Sequence, residues 1–96
     1  MLTGKQKRYL RGEASLLNPG AYVGKEGLTP EVVGEIQTAL KANELVKIRI
    51  GRNAPEEVLE IRDELQTMEL GEIIQVIGRN IILFKGKKKD SRYPLP

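Results

Sequence analysis

The sequence contains no cysteine and no histidine, and both absences restrict the chemistry open to the protein. Without these residues the chain cannot build a zinc site from thiolate and imidazole ligands. It also cannot use a histidine base or a cysteine nucleophile, so carboxylates are the acids and bases that remain. The lack of cysteine agrees with a cytoplasmic protein, which is the localisation we expect.

Aromatic residues and long apolar runs are also scarce. Aromatic residues make up 4% of the 96 residues, and tryptophan is absent. A base-stacking platform of the RRM kind needs several exposed aromatic side chains on adjacent strands, which this chain cannot supply. No apolar run approaches the ~18 residues that a membrane span requires, and no apolar segment follows the basic N-terminus as in a secretory signal. We therefore expect one domain with one modest core and no membrane partner.

The net charge of +3 is unevenly distributed along the chain. Residues 1–12 carry basic side chains and no acid, and residues 85–92 carry five basic side chains against Asp90 alone. Residues 56–69 carry six acids against Arg62 alone. This pattern predicts a protein with a basic side and an acidic side, of which the basic side suits a polyanion.

Hydrophobic periodicity and turn residues predict an α/β domain with the element order α-β-α-β-α-β-β. The first two helices are predicted over residues 5–17 and 30–42, with Thr3 and Thr29 as N-caps. Asn53 and Glu56 form a capping-box-like pair that predicts the start of the third helix. The stripe expected to be buried on that helix is Val58, Ile61, Leu65 and Met68.

Strands are predicted over residues 21–23, 45–50, 72–77 and 81–85, and a tight turn at residues 78–80 joins the last two into a hairpin. In the second strand, alternation places Val46, Ile48 and Ile50 on a core face and Lys47 and Arg49 on the other. The fourth strand is apolar enough to be buried on both faces. Residues 86–96 have no periodicity, and we expect a basic, disordered tail after a domain of residues 1–85.

The stretch Tyr22-Val23-Gly24-Lys25-Glu26-Gly27-Leu28-Thr29-Pro30 joins a strand to a helix through a loop with two glycines around one lysine. Glycine permits positive φ and close approach of another backbone. The following helix would direct free N–H groups and the positive end of its dipole at the loop, which favours a bound phosphate. A lone G-x-x-G pattern is equally typical of an ordinary flexible turn.

Three blocks of residues resemble the bacterial YhbY proteins, which are stand-alone CRM (chloroplast RNA splicing and ribosome maturation) domains. The blocks are residues 22–29, Ala39-Leu40 before residues 43–47, and residues 75–79 before residues 82–85. The resemblance covers residues 2–85. It implies a four-stranded mixed sheet packed with helices, similar to the C-terminal domain of bacterial translation initiation factor three. It also implies RNA binding in precursors of the large ribosomal subunit and assistance with ribosome assembly.

The family's GxxG loop, likened to the backbone-clamping loop of KH domains, corresponds to residues 24–27. We therefore expect a non-enzymatic RNA-binding protein without cofactor, metal or small-molecule substrate. Its expected RNA-binding residues are Gly24, Lys25, Glu26, Gly27, Lys7, Arg8, Arg11, Lys47, Arg49, Arg52 and Arg79. The Glu26 carboxylate would repel a phosphate unless it turns away or pairs with a lysine.

Two other classes of function stay open at the level of sequence. The apolar hairpin and the acidic third helix would also suit a protein adaptor, or a structural component of a ribonucleoprotein with little RNA affinity of its own. A metal-dependent nuclease using Glu26 or the acids of the third helix has less support. Those acids have the spacing of a solvated helix face, and Glu26 has no evident carboxylate partner.

Overall fold

A computed structural model describes residues 2–87 and 89–96 of the chain, and Met1 and Lys88, a member of the predicted tail, lie outside the described residues. The described residues form three helices and four strands in the predicted order. These are α1 (Gly4–Ala14), β1 (Ala21–Val23), α2 (Pro30–Asn43), β2 (Leu45–Ile50), α3 (Val58–Met68), β3 (Glu72–Ile77) and β4 (Asn80–Phe84). The expected α/β architecture with a four-stranded mixed sheet is confirmed.

The strands lie in the order β1-β2-β4-β3. β1 pairs with β2 in parallel, because α2 carries the chain from the end of one strand back to the start of the other. β4 then pairs antiparallel with both β2 and β3. A β-bulge between Ile73 and Gln75 shifts the register of β3. Ile73 packs with the core on one sheet face and Ile74 packs on the other, as successive residues of a strand do.

The sheet buries apolar side chains on both faces. On its inner face, α2 and α3 pack over a core that includes Ile36, Ile61 and Leu65. On its outer face, α1 packs a second cluster that includes Leu10 and Ala14 against the start of β2 and the hairpin. The expectation of one core was therefore wrong, because the sheet lies between two layers of helices. β4 supplies both clusters and is buried on both faces, as predicted.

The helix starts predicted from capping residues are correct for α1 and α2. The Thr3 hydroxyl accepts a hydrogen bond from Gln6 N (3.1 Å), and the Thr29 hydroxyl accepts one from Val32 N (3.2 Å). α1 is shorter than predicted and ends at Ala14.

The start predicted for α3 was wrong. The helix begins at Val58, after Glu57, whose N–H donates to the Glu60 carboxylate at 2.9 Å. Pro55 disfavours helical backbone at the residue before it, so the chain cannot enter the helix directly after Asn53. Met68 was also misplaced: it is the last residue of the helix and is 42% exposed.

The end of the chain packs against the domain, although we expected residues 86–96 to be disordered. Tyr93 is buried in the outer cluster, with its ring edge-on to that of Phe84 at a centroid distance of 6.1 Å. The Glu44 carboxylate, only 1% exposed, accepts hydrogen bonds from Ser91 Oγ (2.5 Å), Arg92 N (2.7 Å) and Lys87 N (3.0 Å). A buried carboxylate with these donors holds the segment against the domain, and the described residues of the segment form no helix or strand.

Candidate nucleic-acid interface

One end of the sheet brings together three loops, which we call the loop end: residues 24–27, 51–53 and 78–79. The first two are adjacent because β1 and β2 are parallel, and Gly51 N donates to Val23 O at 2.8 Å. The hairpin turn joins them because Arg49 pairs with Asn80, and Ile50 N donates to Arg79 O at 2.7 Å. Three predicted binding cations, Lys25, Arg52 and Arg79, therefore lie at the same end of the sheet.

The GxxG loop forms a tight turn that exposes its central residues. Gly27 N donates to Gly24 O at 3.0 Å, and Lys25 and Glu26 are exposed between them. Gly27 has φ of +74°, a conformation in the left-handed region that favours glycine. A Cβ there would also lie 3.0 Å from Glu56 Oε1. The glycine at this position is required by the turn itself, and the turn presents Lys25 to solvent.

The N-terminus of α2 has fewer free N–H groups for binding a phosphate than the sequence indicated. Pro30 has no N–H, Val32 N donates to the Thr29 hydroxyl, and Val33 N donates to Thr29 O. Within the described part of the chain, this leaves the Glu31 N–H as the first-turn donor without an acceptor. The side chains of Glu31 and Glu56 also place negative charge near this turn. Lys25 is therefore the principal phosphate-binding candidate of the loop.

The outer face of the sheet carries cations on the part that α1 leaves uncovered, towards the loop end. Tyr22, Arg49, Asn80 and Ile77 form one row of paired residues across the four strands. Lys47 lies one row further from the loop end on the same face. Arg11 reaches this side of the sheet from α1, where its Nη1 donates to Gln75 Oε1 at 3.2 Å.

The predicted separation of Lys47 and Arg49 from the acidic helix is confirmed. α3 packs on the inner face through Ile61 and Leu65, whereas Lys47 and Arg49 lie on the outer face with α1. The pKa of the Glu64 carboxyl is raised. The largest cause is loss of hydration, the next is nearby Glu56, and the charge of Glu60 adds a smaller effect. Mutual repulsion among these acids marks a surface that would not attract another polyanion.

Several predicted cations have partners within the protein. Lys7 Nζ lies 3.7 Å from Glu72 Oε2, at the end of the sheet opposite the loop end. The Arg79 guanidinium donates from Nε to Ile50 O (2.9 Å) and from Nη2 to Gly51 O (2.6 Å), so it fixes the end of β2 to the hairpin. Arg8 is exposed beside Gly4 on α1, and Arg52 is exposed at the loop end.

Among the described residues, the ion pairs closer than 4 Å are Lys7–Glu72 and Arg62–Asp63. Of the eight cations expected to bind RNA, Lys7 and Arg79 are thus engaged within the protein, and six have no carboxylate partner: Lys25, Arg49, Arg52, Lys47, Arg8 and Arg11. We call these six residues the cation set. They lie at the loop end, on the outer face and on α1.

Tyr22 is a residue of this surface that the sequence reasoning did not select. Its side chain is 52% exposed on the outer face, and it is the register partner of Arg49. The alternation of buried and exposed residues in β1 could have identified it, since Ala21 and Val23 are buried on the inner face.

The described residues bring no three acids close enough together to hold a metal ion. In the same part of the chain, each helix is too short or too polar to cross a membrane.

The fold and this surface define a class of protein: a small α/β domain with a basic sheet face and an exposed lysine between two glycines. The chain belongs to the CRS1/YhbY (CRM) domain family, whose family model matches residues 2–85. The family membership expected from the three residue blocks is thus confirmed.

Named relatives extend over the whole chain. "Probable RNA-binding protein YqeI" of Bacillus subtilis is 38% identical over 96 residues, which is 100% of both chains. "Probable RNA-binding protein MJ0652" of Methanocaldococcus jannaschii is 36% identical over 96% of this chain and 69% of its own length. The solution structure of SAV1595 from Staphylococcus aureus, described as a hypothetical protein and a candidate RNA-binding protein, matches with a TM-score of 0.82. It is 34% identical, and both chains are covered in full.

Proposed function

We propose that this protein is a non-enzymatic RNA-binding protein that grips the RNA backbone through the GxxG loop and the cation set. The observation that carries the proposal is the cation set itself: six basic side chains without carboxylate partners on a surface that excludes the acidic helix. RNA carries a phosphate at every nucleotide, and such a surface attracts it without reading its sequence. The relatives named as RNA-binding proteins support the same partner.

The position of each residue determines which part of the RNA backbone it would contact. Gly24 and Gly27 let the RNA backbone approach the turn, while Lys25 contacts a phosphate directly. Arg49, Arg52 and Lys47 would contact phosphates along the outer face, with Arg8 and Arg11 extending the surface onto α1. Lys7 and Arg79 would contribute less, because each already has a partner in the protein.

The resemblance to YhbY proteins supports a more specific role. We propose that the RNA is ribosomal RNA in precursors of the large ribosomal subunit, and that binding assists assembly of the subunit in the cytoplasm. Sedimentation of cell extract on a gradient tests this role. The protein should travel with large-subunit precursors at low salt and be released at high salt. Exclusive presence at the top of the gradient at low salt would contradict it.

The salt dependence of binding tests the proposed contact directly. If about five phosphates are neutralised, log affinity for RNA should fall with log salt at a slope of roughly −3.5 to −4.5. Lys25→Ala should weaken binding to all RNA sequences and make the slope shallower by about 0.7–0.9. Lys41→Ala is the matched control, since Lys41 is an exposed lysine in the last turn of α2, far from the loop end. A slope near zero would contradict the proposal.

A protein adaptor remains the second candidate because α3 exposes an apolar residue. Leu59 is 53% exposed on this acidic helix, away from the cation set. Absence of RNA binding at moderate salt, together with a Leu59→Lys variant that loses a protein partner, would favour the adaptor.

A further inference from the structure

Tyr22 occupies an unusual position at the loop end. It lies on β1, an edge strand of the sheet, and one residue, Val23, separates it from the GxxG turn. A Cβ on Gly24 would lie 3.2 Å from Tyr22 Cε2, and a Cβ on Gly51 would overlap the Tyr22 hydroxyl oxygen. One edge of the ring and its tip therefore lie against glycine backbone, and half of the side chain stays open to solvent.

The chain's other aromatic residues are not available in this way. Phe84 and Tyr93 are buried in the outer cluster, and Tyr9 is partly buried against it. All four aromatic residues are among the described residues, so Tyr22 is the most exposed ring of the chain. The ring of Tyr22 lies among cations: Arg49 is beside it in the sheet, and Lys25 and Arg52 are in the adjoining loops.

A cation-lined surface with one exposed ring matches how proteins hold single-stranded nucleic acid. Basic side chains follow the backbone, while aromatic rings stack on bases that are not stacked in a duplex. A single ring does not make a multi-base RRM platform, but it can hold one base next to a bound phosphate. We propose that Tyr22 stacks on one unpaired nucleobase of the strand whose phosphate Lys25 contacts, an inference that rests on the proposed RNA binding.

The site should therefore prefer RNA with an unpaired nucleotide, such as a loop or bulge, to an uninterrupted duplex. In an A-form duplex every base is stacked between neighbours and its face is closed to a side chain. Phosphates remain available in both forms, so the duplex should still bind through the cation set, but without any contribution from Tyr22.

A purely structural role for Tyr22 is the competing explanation. Its hydroxyl lies 3.5 Å from Asn53 Oδ1, which is long for an O–H···O hydrogen bond. If that contact were the reason for the tyrosine, its effect would depend on the hydroxyl. Stacking depends on the ring instead, so Tyr22→Phe and Tyr22→Leu separate it from the hydroxyl contact. Packing of the ring against Gly24 and Gly51 would affect the binding of every RNA alike, so comparing an RNA hairpin with a paired duplex separates it from stacking.

The experiment measures binding of the full chain to two probes of equal length: an RNA hairpin with an unpaired loop and a fully paired RNA duplex. Tyr22→Leu should bind the hairpin about 5–150-fold more weakly, the range expected for loss of one base–aromatic stack. It should bind the duplex like wild type. Tyr22→Phe should bind both probes within about twofold of wild type, because it keeps the ring.

Tyrosine emission gives a second readout that does not depend on affinity. Because the chain has no tryptophan, its ultraviolet fluorescence comes from its three tyrosines. Saturation with the hairpin should quench part of this emission in wild type. Tyr22→Phe should bind the hairpin equally well, but its emission should not show the quenching that comes from Tyr22. Circular dichroism melting confirms that each variant is folded before it is compared.

The outcomes distinguish this inference from the proposed function. Equal binding of the hairpin by wild type and Tyr22→Leu, with Lys25→Ala still reducing the salt slope, overturns the stacking contact and leaves RNA binding intact. Equal losses on hairpin and duplex, or a loss in Tyr22→Phe as large as in Tyr22→Leu, also overturn it. No binding of either probe by wild type would instead refute the proposed function.

Discussion

Replacing Glu44 by glutamine tests whether one buried carboxylate holds the end of the chain against the domain. Glu44 follows α2, has φ of +66° and accepts three hydrogen bonds from the segment 87–92. The substitution keeps the volume of the side chain and one acceptor oxygen. It removes the charge and directs an amide NH2 at groups that are themselves donors.

The expected loss follows from the three bonds. A hydrogen bond to a charged group contributes about 1.5–3 kcal/mol, so three could contribute about 4.5–9 kcal/mol if all were lost outright. Two considerations lower this figure. In the place of Oε1, the glutamine oxygen keeps weaker, uncharged versions of the bonds from Lys87 N and Ser91 Oγ, and the exposed Arg92 can donate to water instead. We expect Glu44→Gln to lower the free energy of unfolding by about 2–4 kcal/mol.

The effect should also depend on pH in a defined direction. Burial by itself raises the pKa of Glu44, but hydrogen bonds from Ser91, Arg92 and Lys87, with the Lys87 charge, outweigh it and leave the pKa lowered from 4.5. The folded pKa is thus below the unfolded one. The stabilisation is present above pH 4.5 and is lost as the pH falls through the folded pKa.

Urea denaturation followed by circular dichroism, at pH values from neutral to acid, measures both quantities. Glu64 changes stability in the opposite direction, because its pKa is raised in the folded state. Subtracting the free energy of unfolding of the variant from that of wild type at each pH removes the contribution of Glu64. Glu69→Gln is the matched control: Glu69 also follows a helix with positive φ, but it is exposed, so we expect a change within about 0.5 kcal/mol. A Glu44→Gln loss below that value, or one that does not shrink at acid pH, would refute the reasoning.

Urea denaturation also tests three further substitutions. Gly27→Ala should destabilise the domain by about 1–2 kcal/mol because alanine is strained at this positive φ, and it should weaken RNA binding by distorting the loop. Gly12→Ala is its counterpart in α1, where no atom lies within 4 Å of a new Cβ, and it should stabilise the domain by about 0.5–1 kcal/mol. Leu10→Ala should cost about 2–5 kcal/mol because Leu10 is fully buried in the outer cluster. A loss below 1 kcal/mol there would mean that α1 contributes little to the fold.

The amino-acid sequence by itself determined the local structure. Thr3 and Thr29 fix two helix starts because a cap depends on groups only three residues away. The alternation in β2 fixes which of its side chains face the core, because successive residues of a strand point to opposite faces. The residue blocks were enough to identify the family. α3 was misplaced because Asn53 and Glu56 satisfy the capping pattern while Pro55 opposes it.

Only the tertiary structure decided which of these elements meet. The placement of β4 between β2 and β3 brings Asn80 beside Arg49 and sets Tyr22, Arg49 and the three loops at one end of the sheet. It also determines which cations are already engaged. Arg79 binds carbonyls 28 and 29 residues away in sequence. Such contacts follow from strand order and register, which depend on packing across the whole chain. Periodicity and capping depend on neighbours within one or two turns, so they could predict the elements but not these contacts.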